Sequence, residues 1–120
     1  MEDMALVQKI AQVLYDKKAR DIVALRVKDL TTVCEYMVIA TGRSTVQVRS
    51  LADTVEEELA QLGIRPRNVE TQKEARWLIL DYGFIVVHVF HTEEREYYNL
   101  ERLWNDGQNR IDLNFDQTVL

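Results

Sequence analysis

The sequence predicts an α/β fold in which a mixed β-sheet is flanked by helices. A long amphipathic helix follows Gly42, residues 36–41 form an apolar run, and two apolar segments at 77–81 and 85–90 are separated by a tight turn. The helical crossover after the first run is long enough to connect parallel strands, whereas the late pair should be antiparallel. A mixed sheet with helices on its faces follows from this order.

The first part of the chain predicts one helix and two strands. Residues 4–16 place their apolar side chains on one helical face, namely Val7, Ile10, Ala11 and Leu14. Residues 22–27 are predicted to form a strand, residues 29–32 a turn, and residues 36–41 a second strand that ends at Gly42. Because the second strand has no polar alternation, we expect it to be central and covered on both faces.

The helix after Gly42 has the clearest pattern in the chain. Its apolar residues follow the 3.6-residue period: Val48, Leu51, Ala52, Val55, Leu59 and Leu62. Ser44 and Gln47 have the spacing of a capping box, in which each side chain satisfies a free amide at the start of the helix. Gly63 can adopt the left-handed conformation that ends a helix, and Pro66 prevents the helix from resuming.

The second half of the chain predicts a short strand, a hairpin and a last helix. Residues 68–70 are a candidate strand and residues 72–76 a loop, and the hairpin turns at residues 81–83. Thr92 is the expected N-cap of the last helix, whose apolar stripe would be Tyr97, Leu100, Leu103 and Trp104. The polar tail beyond Gly107 alternates weakly at Ile111, Leu113 and Phe115. We expect one domain over residues 1–106 and a tail over 107–120, either poorly ordered or an edge strand.

The composition narrows the classes of function. The chain has 120 residues, a formal charge of −5 and a pI near 5.0. This acidity argues against a sequence-independent grip on nucleic acid and permits a basic protein partner. Cys34 is the only cysteine, and no Cys/His pair has metal-ligand spacing. No leader pattern or bilayer-length apolar run is visible, so we expect a reducing, soluble compartment without membrane contact.

An enzymatic function is suggested most strongly by the turn at residues 41–44, Thr-Gly-Arg-Ser, between a strand and a helix. Such a turn can offer backbone amides to an anion, and nucleotidyltransferases hold a triphosphate in this way. Their chemistry also needs paired carboxylates to hold two metal ions. That pair is missing, because Glu70 and Asp81 each stand alone on their strands. The simpler interpretation is that Gly42 makes the turn and Ser44 caps the helix.

The aromatic and histidine residues between Trp77 and Trp104 allow two interpretations. Both tryptophans and three of the five tyrosines lie here, together with His88 in the middle of a strand. His88 would act as a general acid or base only with a partner in hydrogen-bond reach, and otherwise is satisfied by a neighbour. Cys34 has no visible activating base, so we expect an inert thiol. Since Trp and Tyr dominate protein-protein hot spots, we favour a partner-binding domain over an enzyme.

These segments resemble the ribosomal silencing factor family, also called the Iojap family. The strongest marks are Trp-Leu-Ile-Leu-Asp at 77–81, Val-Val-His-Val-Phe at 86–90 and Tyr-Asn-Leu-Glu-Arg-Leu-Trp at 98–104, with further marks at 16–19, 21–25, 36–42, Ser44, 47–48, 52–53, Gly83 and Arg95. The likeness covers the chain up to about Asp106. The chain departs from the family at Glu35 in place of Asp, Thr71 in place of Gly and Phe84 in place of Asp.

The resemblance implies a nucleotidyltransferase-like fold without nucleotidyltransferase activity, cofactor or metal. It implies a cytoplasmic protein that binds the large ribosomal subunit through its fourteenth protein, blocks joining of the small subunit and represses translation when nutrients are short. It also implies a homodimer off the ribosome and no direct sequence-specific contact with nucleic acid. The nucleotide-binding alternative, using the turn from Gly42 to Ser44, stays open at this point.

The resemblance also places the partner-binding residues. They are expected to be Trp77, Asp81, His88, Tyr98, Glu101 and Trp104. Asp81 and Glu101 would accept from Lys or Arg of the partner, Trp77 and Tyr98 would supply apolar area, and His88 would donate or accept in the same patch. Arg95 would instead pair with Glu101 or Glu94 and position the last helix.

Overall fold

A computed structural model describes residues 3–72 and 74–115, and its centre is a five-stranded sheet. The strands are β1 (Arg20–Arg26), β2 (Tyr36–Gly42), β3 (Asn68–Gln72), β4 (Trp77–Asp81) and β5 (Ile85–His91). The helices are α1 (Asp3–Asp16), α2 (Thr45–Ala60), α3 (Thr92–Tyr98) and α4 (Leu100–Trp104). Within the described residues, no helix has both the length and the apolar character needed to cross a bilayer.

The sheet is mixed, as the sequence predicts. Its strand order is β1-β2-β5-β4-β3. The crossover through α2 lets β2 and β5 pair in parallel, and the β4–β5 hairpin is antiparallel. The apolar strand β2 lies between β1 and β5 and is buried along nearly its whole length. The predicted α/β class and the central position of this strand are therefore confirmed.

Helices α1 and α2 cover one face of the sheet and form the larger core. That core contains Leu6, Val7, Ile10, Leu14, Val48, Leu51, Val55 and Leu59 from the helices. The ends of α2 form as predicted: the Ser44 side chain accepts from the amide of Gln47 at 3.1 Å, and Gly63 is left-handed with φ +79°. The sheet beneath α2 thus buries its predicted apolar stripe except at Leu62, which lies beyond the last helical residue and is exposed.

The opposite face of the sheet is covered by α3 and α4, and here three predictions about the last helix are wrong. The last helix is not continuous, because Asn99 is left-handed (φ +44°, ψ +53°) and separates the two short helices. The N-cap is His91 rather than Thr92, and its side chain accepts from the amide of Glu93. The predicted apolar stripe does not form, because Tyr97 on α3 and Leu103 on α4 are both exposed.

The two edges of the sheet carry the weakly patterned segments. The candidate strand near residue 68 is the edge strand β3, and all its residues are exposed. On the other edge the tail lies beside β1, where Arg110 pairs with Leu25 and the amide of Ile111 donates to the Ala24 carbonyl at 2.8 Å. The ring of Phe115 stacks on Tyr15 at 4.4 Å. The described part of the tail therefore lies against the body as an edge segment, and residues 116–120 lie outside the described range.

Candidate functional site

Four rings form an aromatic cluster on the sheet face beneath α3. They are Trp77, His88, Phe90 and Tyr98. In the β4–β5 register Trp77 lies opposite Phe90, which puts both rings and His88 on one face, and α3 adds Tyr98. The Trp77 ring lies 4.9 Å from both Phe90 and Tyr98, and 5.9 Å from His88. The structure thus brings together three of the predicted partner-binding residues, Trp77, His88 and Tyr98.

His88 is a buried, neutral member of this cluster. Its side chain is 7% exposed, and its Nδ1 accepts a hydrogen bond from Trp77 Nε1 at 3.1 Å. Burial lowers the pKa of His88 from 6.5 to about 4, because the charged imidazolium would lose its hydration there. The ring is therefore uncharged at neutral pH, and the prediction that a neighbour satisfies it is confirmed. Proton transfer by this group near pH 7 has no support in the geometry.

Arg95 fixes the position of α4 against the sheet. The Arg95 side chain is 9% exposed; its Nη1 donates to Thr41 Oγ1 at 2.7 Å and to the Asp21 carbonyl, and its Nε donates to Glu101 Oε1 at 2.9 Å. Asp21 lies at an irregularity of the β1–β2 pairing. Of the two predicted partners of Arg95, Glu101 and Glu94, the structure shows the ion pair with Glu101. This ion pair links α3 to α4 across the break at Asn99.

Trp104 lies in the same layer as the aromatic cluster, and contacts with the core and with the tail hold it in position. Its side chain is half-buried and packs against a second core cluster on this face of the sheet, whose members include Val27, Cys34 and Met37. The side-chain amide of Asn109 donates to the Trp104 carbonyl at 2.7 Å and to a β1 carbonyl at 3.0 Å. Both tryptophans are therefore partly buried on one face, and the tail after residue 106 helps to position α4.

Asp81 lies apart from the cluster. It stands four residues from Trp77 on β4, roughly 13 Å away at the usual rise of a strand. Its carboxylate accepts from Arg67 Nε at 3.1 Å and from the Gly83 amide at 2.8 Å. Asp81 thus belongs to the opposite end of the same sheet face, where it also stabilises the hairpin turn.

A second charged group, not expected from the sequence, lies at the start of α3. Arg76 donates to Glu94 at 2.8 Å and to Glu93 at 3.0 Å, beside His91. The predicted antiparallel pairing of β4 with β5 could have indicated this position, because it brings Arg76, just before β4, next to the end of β5. His91, Glu93 and Glu94 offer ligand atoms within 4.8 Å of one another, the one such trio in residues 3–72 and 74–115. Because the Arg76 guanidinium already occupies both carboxylates, the trio has little capacity for a cation.

Two backbone amides at the turn after β2 are engaged by side chains of the same segment. The Arg43 amide donates to Gln47 Oε1 at 2.6 Å, and the Gln47 amide donates to Ser44. A Cβ on Gly42 would lie 3.0 Å from Val48 Cγ2, so the glycine is required for close contact with α2. These contacts favour the capping interpretation over a phosphate site.

The remaining nucleophile candidates are unsuited to act. Burial raises the pKa of Cys34, and the charge of Asp81 raises it further. Burial likewise raises the pKa of Tyr82 to about 12, with a smaller contribution from Glu56. Both groups are therefore held in their protonated, weakly nucleophilic forms, as expected for Cys34.

Comparison with known proteins identifies the family. Residues 1–119 match the family model described as "Ribosomal silencing factor during starvation". The chain belongs to the ribosomal silencing factor family. A ribosomal silencing factor from Bacillus subtilis is 39% identical over 115 residues, which is 96% of this chain and 97% of that protein. A crystal structure of a Chromobacterium violaceum protein superposes with a TM-score of 0.84 at 31% identity and covers 98% of each chain.

A more distant relative comes from the mouse, where the protein is named for mitochondrial assembly of the ribosomal large subunit. It is 29% identical over 101 residues, which are 82% of this chain and 44% of that protein. These family names describe ribosome-associated regulatory factors rather than enzymes. The predicted resemblance is therefore confirmed at the level of family and fold.

Proposed function

We propose that this chain is a cytoplasmic silencing factor that binds the large ribosomal subunit through its fourteenth protein. In this proposal it occupies the face that meets the small subunit, blocks joining and represses translation when nutrients are short. The family match over residues 1–119 is the observation that carries the proposal. The words "during starvation" in the family description support the nutrient role, and the name of the mouse relative supports the large subunit as partner.

The docking surface in this proposal is the sheet face that carries the aromatic cluster. Its predicted members are Trp77, Asp81, His88, Tyr98, Glu101 and Trp104. Trp77 and Tyr98 are half-buried against each other, so they offer rigid apolar area at a low entropic cost. Asp81 and Glu101 are partly exposed carboxylates at separate parts of this face, which suits a basic ribosomal protein. His88 holds the Trp77 side chain in position through a hydrogen bond and does not itself make the primary contact with the partner.

The proposal assigns no catalysis, cofactor or metal to the chain. The engaged amides after β2 and the raised pKa of Cys34 agree with a binding role. The charge of −5 disfavours a sequence-independent grip on nucleic acid and favours a basic protein partner. Away from the ribosome, we propose that the chain forms a homodimer.

Co-sedimentation with purified large subunits tests the docking surface. The double variant Asp81→Asn with Tyr98→Leu should weaken binding roughly thirtyfold, as expected when hot-spot groups are lost. A matched control, Asp53→Asn with Val46→Ser, changes an exposed acid and an exposed apolar residue on α2 and should bind like the wild type. Circular dichroism confirms that each variant is folded. Undiminished binding of the docking variant would overturn this surface.

A further inference from the structure

We propose that Asn109 is a positioning residue for the docking surface: it holds the C-terminal end of α4, and with it Trp104, in the orientation that meets the ribosomal partner. This role rests on the docking surface proposed above and gives the tail a part in it. Residues 105–115, which we call the strap, leave α4, pass along the edge of β1 and reach α1 on the other side of the sheet.

Helix α4 depends on contacts outside itself for its position. It has five residues, none of them buried, whereas an isolated helix needs roughly 12–15 residues to be marginally stable in water. Leu100 and Trp104 pack partly against the second core cluster. The ion pair between Arg95 and Glu101 holds the N-terminal end of the helix. The C-terminal end is held by Asn109, whose side-chain amide donates to the Trp104 carbonyl at 2.7 Å.

The side chain of Asn109 joins three separate parts of the chain. Besides the bond to Trp104, its Nδ2 donates to the Arg26 carbonyl of β1 at 3.0 Å, and its Oδ1 accepts from the Asp106 amide at 3.0 Å. Both N–H groups and the oxygen of the amide are therefore in use. The Asn109 backbone is fixed as well, since its carbonyl accepts from the Arg26 amide at 2.9 Å. Removing this one side chain thus breaks the polar link between α4 and the sheet.

Beyond Asn109 the strap is fastened to the body of the protein. The Ile111 amide donates to a β1 carbonyl at 2.8 Å, which continues the pairing along the β1 edge. The side chains of Ile111 and Leu113 pack partly against the larger core. The Phe115 ring stacks on Tyr15 of α1, with centroids 4.4 Å apart. Asn109 therefore sits on a firm support and can transmit the position of β1 to α4.

Loss of the Asn109 bonds should affect docking more than folding. Without them only the Arg95 end of α4 keeps its polar anchor, so the last turn, which carries Trp104, can move. A partner must then order this turn on binding, and that entropic cost lowers the affinity. The sheet and both cores remain, because α4 contributes no fully buried side chain to either of them.

A double-mutant cycle with Trp104 tests this role. Co-sedimentation with purified large subunits is measured for the wild type, Asn109→Ala, Trp104→Ala and the double variant. Asn109→Ala should weaken binding roughly tenfold, because two donated hydrogen bonds no longer order α4. In the Trp104→Ala background the same change should cost less than about twofold, since the residue that it positions is gone. Additive losses would show that Asn109 acts independently of Trp104 and would overturn the inference.

Hydrogen exchange of the free protein adds a readout that does not depend on the ribosome. The Arg102 and Asn105 amides, which donate within the α4 region, should exchange roughly tenfold faster in Asn109→Ala, while β2 amides keep their wild-type rates. The matched control is Asn114→Ala, an exposed asparagine of the same strap whose side chain has no hydrogen-bond partner among the described residues. It should match the wild type in both measurements.

The other outcomes separate this role from the proposed function. If the wild type does not bind large subunits, the proposed function and this role of Asn109 both fall. If the wild type binds and Asn109→Ala binds equally well, only this role is overturned. The same holds if Trp104→Ala binds like the wild type, because Trp104 is then not a contact. An Asn109→Ala chain that is unfolded by circular dichroism would show that Asn109 maintains the whole fold, and would also overturn the inference.

Discussion

Acidification from pH 7 to pH 5 should destabilise the fold through His88. The folded pKa of His88 is about 4 and its usual value is 6.5, so between these values the unfolded chain binds a proton that the folded chain does not. Stability from this group is complete above about pH 6.5 and is lost as the pH falls toward 4. The test therefore lowers the pH from 7 to 5 and compares the change in the free energy of unfolding between the wild type and a variant without this imidazole.

The expected magnitude follows from the two pKa values of His88. The depression from 6.5 to about 4 corresponds to roughly 3 kcal/mol when fully developed, at about 1.4 kcal/mol per pKa unit. By pH 5 about 2 kcal/mol of this should already be lost. That loss is a large fraction of the stability of a domain of this size.

Urea unfolding of the wild type and His88→Gln at pH 7, 6 and 5 measures this effect. The glutamine retains an oxygen that can accept from Trp77 Nε1, but it does not titrate in this range. All other groups are common to both chains, so their contributions cancel in the difference between the two chains. The stability of the wild type relative to the variant should fall by about 2 kcal/mol between pH 7 and pH 5. A difference that stays constant would refute a buried, neutral His88.

Three further substitutions test other contacts by urea unfolding at pH 7. Trp77→Phe keeps a ring in the cluster but leaves His88 Nδ1 without its donor, and should cost about 2 kcal/mol; a neutral result would mean that this hydrogen bond contributes nothing. Arg95→Lys keeps the charge but loses the fork that reaches three acceptors, and should cost about 2–3 kcal/mol and loosen α4; wild-type stability would contradict the anchoring role. Gly42→Ala places a methyl group 3.0 Å from Val48 Cγ2 and should cost about 1–3 kcal/mol; no loss would show that α2 can move away freely.

Much of the fold could be predicted because local and tertiary preferences agree there. The pattern of α2, its cap at Ser44 and its end at Gly63 all follow rules that need only a few neighbouring residues. The central position of β2 follows from its lack of polar residues, and the β4–β5 hairpin from its short turn. In these segments the spacing of apolar residues along the chain indicates directly which side chains are buried.

The break at Asn99 could not be predicted from periodicity because its cause is tertiary. Residues 92–104 have a composition compatible with one continuous helix, but the buried Arg95 side chain holds Glu101 through an ion pair. Asparagine tolerates the left-handed conformation better than most residues, so the chain can turn at this position. Periodicity alone therefore predicts one stripe through Tyr97 and Leu103, whereas both side chains are exposed in the structure.

The sequence predicted which residues form the candidate site better than it predicted where they lie relative to one another. The sequence indicated that Trp77, His88 and Tyr98 act together, and the β4–β5 register explains their contact. It did not indicate that the Asp81 carboxylate is bonded to Arg67, away from the aromatic cluster. The strand 77–81 already separates Asp81 from Trp77, but which residues lie beside each end depends on strand pairing and helix docking, which the sequence alone does not fix.

The central claim is that this chain prevents the ribosomal subunits from joining. Purified large and small subunits are mixed with increasing amounts of the wild-type chain, and the joined ribosomes are separated by sucrose-gradient sedimentation. The account predicts a dose-dependent loss of joined ribosomes, with the chain found in the large-subunit fraction. The double variant Asp81→Asn with Tyr98→Leu should need roughly thirtyfold more protein for the same loss. Undiminished joining at saturating wild-type protein would contradict the account.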